Sequence, residues 1–428
     1  MKKLVCILGG YTPYYSPSGK IAANVLNELK KEFDITVIAQ KNYFGLSKNE
    51  TIDGIEVIRI NEWNRMFHHL FEGKERQAKT SLSRTFCKTL LGAKRVINYV
   101  FRLLRKQSFS EGYVKKIINR LEKIEKEERI DFLMPVSIPH EAVVASVRYK
   151  KKHGHVKIYP YKTDFFACAS TLYENGFIKK IRYPRHIKTE QETLEACEKL
   201  FALPPIAAYY DNNRELFPQY EKVIRTEHPL LVKPDLKTFT EADESDKITL
   251  VYAGSFYSKL RNPELVFDFL TGIEGFKDNY LFKLFSFGDC QPIVDKYKKE
   301  FGSALDDRGK VSSGEVANEM SCSDIIITIG NNSATDVPSK LFECLSFGKP
   351  IIHFYFNDAD SYLDYLKNYE YSLCVKIDPM MRENFSAEFD AFCKKNKNTK
   401  IDFETVKNNF RECTPEYVAS LFAEEFKR

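Results

Sequence analysis

The sequence predicts an α/β protein made of two doubly wound, Rossmann-like parallel-sheet domains. Three observations carry this reading. The chain has 428 residues, about twice the size of a typical domain. Short apolar segments alternate with helical ones in both halves, the pattern of parallel strands covered on both faces. A polar stretch from Glu227-His228-Pro229-Leu230 to Pro234-Asp235, followed by the acidic run 240–246, separates the halves. The expected domains are therefore 1–235 and 236–428. The first carries a basic helical insertion at about 71–129, and a tail helix of the second is free to cross back.

In the first half the run 4–8 is wholly apolar and ends at Gly9-Gly10. After a loop carrying Ser18-Gly19-Lys20, a helix is expected to about Lys31. Further strands are expected at 34–39, 54–60, 131–136, 156–161 and 200–203, with helices over 141–152 and after Pro204-Pro205. Between 71 and 129 the pattern changes. Phe86, Leu90, Ile97, Phe101 and Leu104 recur at spacings of three, four or seven with Lys and Arg between them, which predicts a pair of amphipathic cationic helices. In the second half, strands are expected at 248–253, 281–287, 325–329, 351–354 and 371–377. The helices between them cover 262–272, 291–301, 313–322 and 338–346, and the tail 403–428 reads as helical. Two such domains facing each other would leave a cleft between their carboxyl edges, where ligands bind in this architecture.

The net charge of +6 is unevenly spread: residues 74–129 hold 16 Lys and Arg against 6 Asp and Glu, leaving the rest of the chain net acidic. A concentrated basic block points to an anionic partner. The block lacks a nucleic-acid reader motif or stacking platform, so an anionic membrane surface is the favoured partner and no nucleic acid is expected. A solvated helical insertion is the plainer alternative. No run approaches the ~18–20 apolar residues of a membrane span, and the apolar start stops at Gly9-Gly10, too early for a secretory signal. The ten cysteines form no C-x-x-C pair. Reduced thiols in a cytosol fit them best, which predicts a cytoplasmic protein, peripheral at the inner face of the membrane.

The most informative stretch is 325–352. It reads as a buried strand, a polar loop, a helix opened by Pro338 and Ser339, a stop at Gly348 and a second strand. Such a unit sets a helix N-terminus at the carboxyl edge of a parallel sheet, where N–H groups and the helix dipole favour a phosphate. Lys340 and Glu343 share one face of that helix. A cation for a diphosphate and a carboxylate for sugar hydroxyls match a nucleotide sugar; an ordinary strand–helix–strand unit with a solvated Lys and Glu is the alternative.

Three segments of the second half together resemble the donor domain of bacterial GT-B-fold glycosyltransferases, of the type that builds capsule, O-antigen or exopolysaccharide. These are Val251-Tyr252-Ala253-Gly254-Ser255-Phe256 with Arg261-Asn262-Pro263-Glu264, then Gly309-Lys310-Val311 with 315–324, then 338–352. In the first half, 14–19 and Tyr159-Pro160-Tyr161-Lys162-Thr163-Asp164-Phe165 resemble the same enzymes more loosely. The resemblance implies a transferase using a nucleotide-sugar donor, UDP-linked by preference, and a lipid-linked saccharide acceptor. Many retaining relatives carry a Glu eight positions before the ribose-binding one. Here that position is Thr335, with Asp336 beside it.

On this reading Lys340 and Arg261 face the leaving diphosphate, Ser339 and the N–H groups near Pro338 assist, and Glu343 holds the ribose. Ser255 belongs to the strand and glycine turn that open the donor domain. Val311 offers backbone groups to the base, and Gly19 allows close backbone approach to a ligand. Asp164 and His140 follow strand ends and are the candidates for a general base. A helix cap and a packed histidine are their plainer roles. Asp358-Ala359-Asp360 matches a D-x-D metal tripeptide but opens a helix after a strand, so it is read as a cap. No obligatory metal or cofactor is expected. Two other functions stay open: a nucleotide-sugar epimerase of the same architecture, and an inactive relative acting as a binding or scaffold protein.

Overall fold

The computed structural model describes residues 1–77, 80–104, 107–173, 175–236, 246–331, 340–378 and 382–428. The chain divides into two compact units, Met1–Pro229 with Pro415–Arg428, and Leu230–Thr414.

The first unit contains β1 (Lys3–Ile7), β2 (Asp34–Lys41), β3 (Asn49–Ile52), β4 (Ile55–Asn61), β5 (Phe132–Pro135), β6 (Lys157–Ile158), β7 (Tyr161–Lys162), β8 (Leu200–Ala202) and β9 (Val223–Arg225). The strand order is β3-β4-β2-β1-β5-β6, and β7-β8-β9 form a short parallel sheet. An isolated parallel bridge between Val136 and Tyr161 links the two. Pro160 has no N–H to donate, so the expected strand 156–161 breaks into β6 and β7. Tyr159 still donates to the Leu133 carbonyl (2.8 Å), and Phe201 donates to the Pro160 carbonyl (2.9 Å). The strand expected at 54–60 forms as β4, and β3, which was not expected, pairs antiparallel with it in a hairpin. Asp53 (φ 50°) and Gly54 (φ 82°) adopt the left-handed conformation its tight turn requires. The helix Gly176–Ala196 was not anticipated, since Pro184 lies inside it and its apolar positions are sparse.

Helices Trp63–Gln77, Ser81–Leu104 and Glu111–Glu127 fill the basic segment. The first two pack on each other, and Cys87 and Leu91 are buried there, while Leu82, Phe86, Val96, Ile97 and Val100 remain exposed. No helix among the described residues is long and apolar enough to cross a membrane.

The second unit is one six-stranded sheet, parallel throughout, ordered β12-β11-β10-β13-β14-β15. Its strands are β10 (Ile248–Phe256), β11 (Tyr280–Gly288), β12 (Leu305–Asp307), β13 (Ile325–Ile329), β14 (Ile351–Tyr355) and β15 (Ser372–Lys376). β10 and β11 pair residue for residue from Ile248 with Tyr280 to Phe256 with Gly288, so β10 runs past its expected stop at Gly254. The edge strand β12 is too short to show as a strand in the sequence. Phe267 and Leu270 of helix Glu264–Thr271, with Tyr297 and Phe301 of helix Gln291–Phe301, pack against Leu250, Phe282 and Leu284.

The last helix, Pro415–Lys427, belongs to the first unit and packs along helix Pro17–Leu29. Phe422 stacks on Phe201 at 3.6 Å and Phe426 on Phe132 at 4.8 Å, and Tyr159 Oη donates to the Glu425 carbonyl at 3.0 Å. Phe422 is fully buried. Phe422→Ala is expected to destabilise the protein by about 3–5 kcal/mol, read as a lower urea midpoint by circular dichroism.

Candidate functional site

Every strand of the second sheet points its carboxyl end to the same edge, because all six are parallel. β10 delivers Gly254 and Ser255 there, β13 ends at Gly330-Asn331, and β14 leads to Asn357 and Asp360. Arg261 ties them together. Its Nη2 donates to Asn331 Oδ1 at 2.7 Å, and its Nη1 lies 3.5 Å from the Ser255 carbonyl. Tyr252 Oη shares that carbonyl at 3.5 Å and bonds to Arg261; burial pushes the Tyr252 phenol up to about 12 against the pull of the guanidinium. The Nε of Arg261 is buried without a partner. A guanidinium held on one side with a buried donor left over is suited to receive an anion.

Helix Lys340–Leu345 lies at the same edge. Lys340 Nζ and Glu343 Oε2 form an ion pair at 2.7 Å, both partly exposed. Burial lowers the affinity of Lys340 for its proton, and the Glu343 carboxylate more than offsets it, so its pKa is raised. The Leu341 N–H donates to Tyr362 Oη at 3.0 Å. Tyr362 also feels the charge of Arg261, which places the guanidinium near this helix. Pro338, Ser339, Thr335 and Asp336 lie outside the described residues. Val311 is half-buried after Gly309, whose φ of 60° turns the chain between β12 and helix Ser313–Cys322.

The D-x-D tripeptide is occupied. Asp358 pairs with Lys376 at 2.7 Å. Asp360 Oδ1 accepts from the Tyr362 N–H at 2.9 Å, and its Oδ2 lies 3.4 Å from His353 Nε2. That same oxygen fills the space above Gly330, where a Cβ would come within 2.0 Å of it. Among the described residues no group of His, Cys, Asp and Glu is arranged to hold a metal.

The first unit has its own carboxyl edge. Ser16 caps helix Pro17–Leu29, accepting from the Gly19 N–H at 3.1 Å. A Cβ on Gly19 would fall 1.9 Å from the Gly10 carbonyl oxygen. The close approach that this glycine permits is therefore to the chain's own backbone. Asp164 follows β7, and its Oδ2 accepts from Ser18 Oγ at 2.8 Å and from Thr163 Oγ1 at 3.2 Å. Its N–H donates to Ser137 Oγ at 3.1 Å, so two hydroxyls hold this half-buried carboxylate and a third holds its backbone.

His140 is brought to the same region but lies buried, stacked on Phe166 at 3.3 Å, with neither ring nitrogen hydrogen-bonded. Burial, and then the charge of Lys162, holds it well below the usual histidine range. Lys162 and Glu190 are a fully buried pair at 3.6 Å, and burial drives both toward their neutral forms. Asn331, Tyr252, Tyr362, Ser18 and Ser137 were not singled out from the sequence. Asn331, Tyr362, Ser18 and Ser137 sit next to a strand end or at a helix start, the one signal that marks them, whereas Tyr252 lies in the middle of β10 and carries none.

No protein-family profile matches the chain, and no curated protein sequence matches it. Solved structures do. Sucrose-phosphate synthase from Thermosynechococcus elongatus superposes with a TM-score of 0.59 at 10% identity, covering 100% of this chain and 98% of its own. The lipopolysaccharide outer core galactosyltransferase WaaB, in its apo form, gives 0.54 at 11% identity over 99% of both chains. A structure described as trehalose-6-phosphate from E. coli bound with UDP-2-fluoro glucose gives 0.50 at 10% identity, covering 100% and 99%. The chain thus has the two-domain α/β fold of GT-B glycosyltransferases.

His140, His186 and His228 are all depressed by burial, the last two to about 4. Their unfolded pKa lies near 6.5, so below that pH the unfolded chain binds more protons than the folded one. Stability is fully present above about pH 6.5 and falls as pH drops toward 4, by about 1.4 kcal/mol per pH unit for each histidine. Glu190, pushed up by burial, works in the opposite sense. Urea midpoints between pH 7 and 4 should decline, and His140→Phe should make that decline shallower.

Proposed function

We propose that this chain is a glycosyltransferase. It moves a sugar from a UDP-linked donor to a lipid-linked saccharide in the synthesis of a cell-surface polysaccharide such as capsule or O-antigen. The observation that carries this reading is the anion-ready Arg261, with its spare buried Nε–H, beside the Lys340–Glu343 pair at the carboxyl edge of a parallel sheet. Departure of a nucleoside diphosphate builds negative charge on its terminal oxygens, and fixed cations stabilise that charge most where water is scarce. Arg261 and Lys340 serve this role, Ser339 and the backbone near Pro338 assist, and Glu343 accepts the ribose hydroxyls. Val311 meets the base. The shared fold of a structure holding UDP-2-fluoro glucose favours a uridine donor.

On the acceptor side, Asp164 is the general base or the group that orients the acceptor hydroxyl. Ser18 and Thr163 donate to its carboxylate and Ser137 accepts from its backbone N–H, which holds the group in place. His140, unprotonated and packed on Phe166, acts at most by shaping the pocket wall. The exposed apolar side chains of helix Ser81–Leu104, set among lysines and arginines, support docking on an anionic membrane at its cytoplasmic face. No metal is required in this scheme.

Purified protein should bind UDP, seen as a thermal shift and by calorimetry, and should release UDP from a UDP-sugar only when a saccharide acceptor is added. Arg261→Ala and Lys340→Ala should each weaken UDP about tenfold, about 1.4 kcal/mol, with unchanged circular dichroism. A protein that binds no nucleotide would overturn the proposal. Sedimentation with phosphatidylglycerol vesicles should fall steeply as salt is raised, and Phe86→Ser with Ile97→Ser should reduce it.

A further inference from the structure

Arg261 is a half-buried guanidinium that, among the described residues, is held by uncharged oxygens only. Its Nη2 donates to Asn331 Oδ1 at 2.7 Å, and its Nη1 lies 3.5 Å from the Ser255 carbonyl. The third neighbour is the Tyr252 phenol, which burial keeps protonated. Three described carboxylates of this edge are spent elsewhere. Glu343 pairs with Lys340, Asp358 pairs with Lys376, and Asp360 accepts from the Tyr362 N–H beside His353. A guanidinium keeps its charge at any working pH, and a charge drawn partly out of water is ordinarily paired with an opposite one. Here it is left uncancelled.

The residue that sets the direction of this charge is Asn331. It is 6% exposed and follows Gly330 just beyond β13. Its backbone is fixed from two sides. The Gly330 N–H donates to the Phe354 carbonyl at 2.8 Å, and the Asn331 carbonyl lies 3.5 Å from Asn357 Nδ2. From this mount its amide oxygen reaches a guanidinium 70 residues away in sequence. The group it holds stands near helix Lys340–Leu345, since Tyr362, which accepts from the Leu341 N–H, feels the charge of Arg261. An amide and a carboxylate of the same shape would both hold the guanidinium, but they differ in what they leave on it. Aspartate would form a charge-assisted pair and consume the charge that an incoming anion needs. Asparagine fixes the direction and leaves the charge.

We propose that Asn331 is a positioning residue of the donor site, a neutral amide that holds the Arg261 guanidinium toward a diphosphate without cancelling its charge. A brace between β13 and the loop after β10 would be served as well by aspartate, or better, so the choice of amide is what separates the two roles. The inference rests on the donor reading for the nucleotide, while its anion chemistry can be read without one.

The test is calorimetry on the full chain with UDP and with inorganic pyrophosphate. Asn331→Asp should keep the circular dichroism spectrum and hold or raise the thermal midpoint, because a charge-assisted bond replaces a neutral one. It should nonetheless raise the dissociation constant for UDP at least about tenfold, by setting a carboxylate against the incoming charge. Asn331→Ala should raise it about fivefold. In an Arg261→Ala background, Asn331→Ala should add almost nothing, since it acts through the arginine. Losses that simply add in the double variant overturn the proposal. UDP binding that Asn331→Asp leaves intact overturns it as well, while the donor reading stands. Pyrophosphate binding that Asn331→Asp abolishes, with UDP bound no more tightly than pyrophosphate, supports the positioning role and removes the nucleotide reading. If neither anion binds the unaltered chain, both fall.

Discussion

A parallel sheet covered by helices on both faces has almost no place for polar side chains along its strands, and the organisation of this chain follows from that constraint. β13 is buried at all five positions and β1 likewise. Polar groups are pushed to the strand ends, and in a parallel sheet all the carboxyl ends meet at one edge. Backbone N–H groups of the following helices gather at that edge as well. Arg261, Asn331 and the Lys340–Glu343 pair stand there in the second unit, and Ser18, Ser137, Thr163 and Asp164 stand there in the first. The location of both candidate sites is thus set by the architecture before any chemistry is chosen.

The same constraint explains the buried charges. Lys162 and Glu190 lie inside the first unit at 3.6 Å, where low dielectric drives each toward its neutral form. Removing one partner of such a pair leaves an unpaired buried group, which costs more than the pair contributes. His140 lies beside Lys162, kept neutral by burial and by that charge. A neutral imidazole without a hydrogen bond is a packing element first. This is why Asp164, half-buried and held by three hydroxyls, carries the acceptor chemistry in the proposed scheme.

Much of the fold was legible because the signals are local. The apolar run at 325–329 is a strand with those very bounds, and the helices at 291–301 and 313–322 match as well. What failed was governed by single residues or by pairing. Pro160 broke one expected strand in two, the Asp53-Gly54 turn added the unexpected β3 to the expected β4, and β12 holds only three residues. In the candidate site, Lys340 and Glu343 were named from the expected helix start at a strand's carboxyl end, and Arg261 from the resemblance carried by 251–264. Asn331 and Tyr362 were not, because their roles depend on partners 70 and 21 residues away.

The sequence by itself determined the two α/β series and the basic helical block, since each follows from hydrophobic periodicity and charge along the chain. It also determined the strand–helix unit that brings Lys340 and Glu343 to a strand end. Only the tertiary structure decided which polar groups are paired and which are left over. It spent Asp358 on Lys376 and Asp360 on a helix start, filled the space at Gly19 with the Gly10 carbonyl, and buried His140. It left Arg261 Nε, Asn42 Oδ1 and Asn61 Oδ1 without partners. Pairing depends on which strands lie side by side, and strand order is a property of the folded sheet that no local pattern encodes.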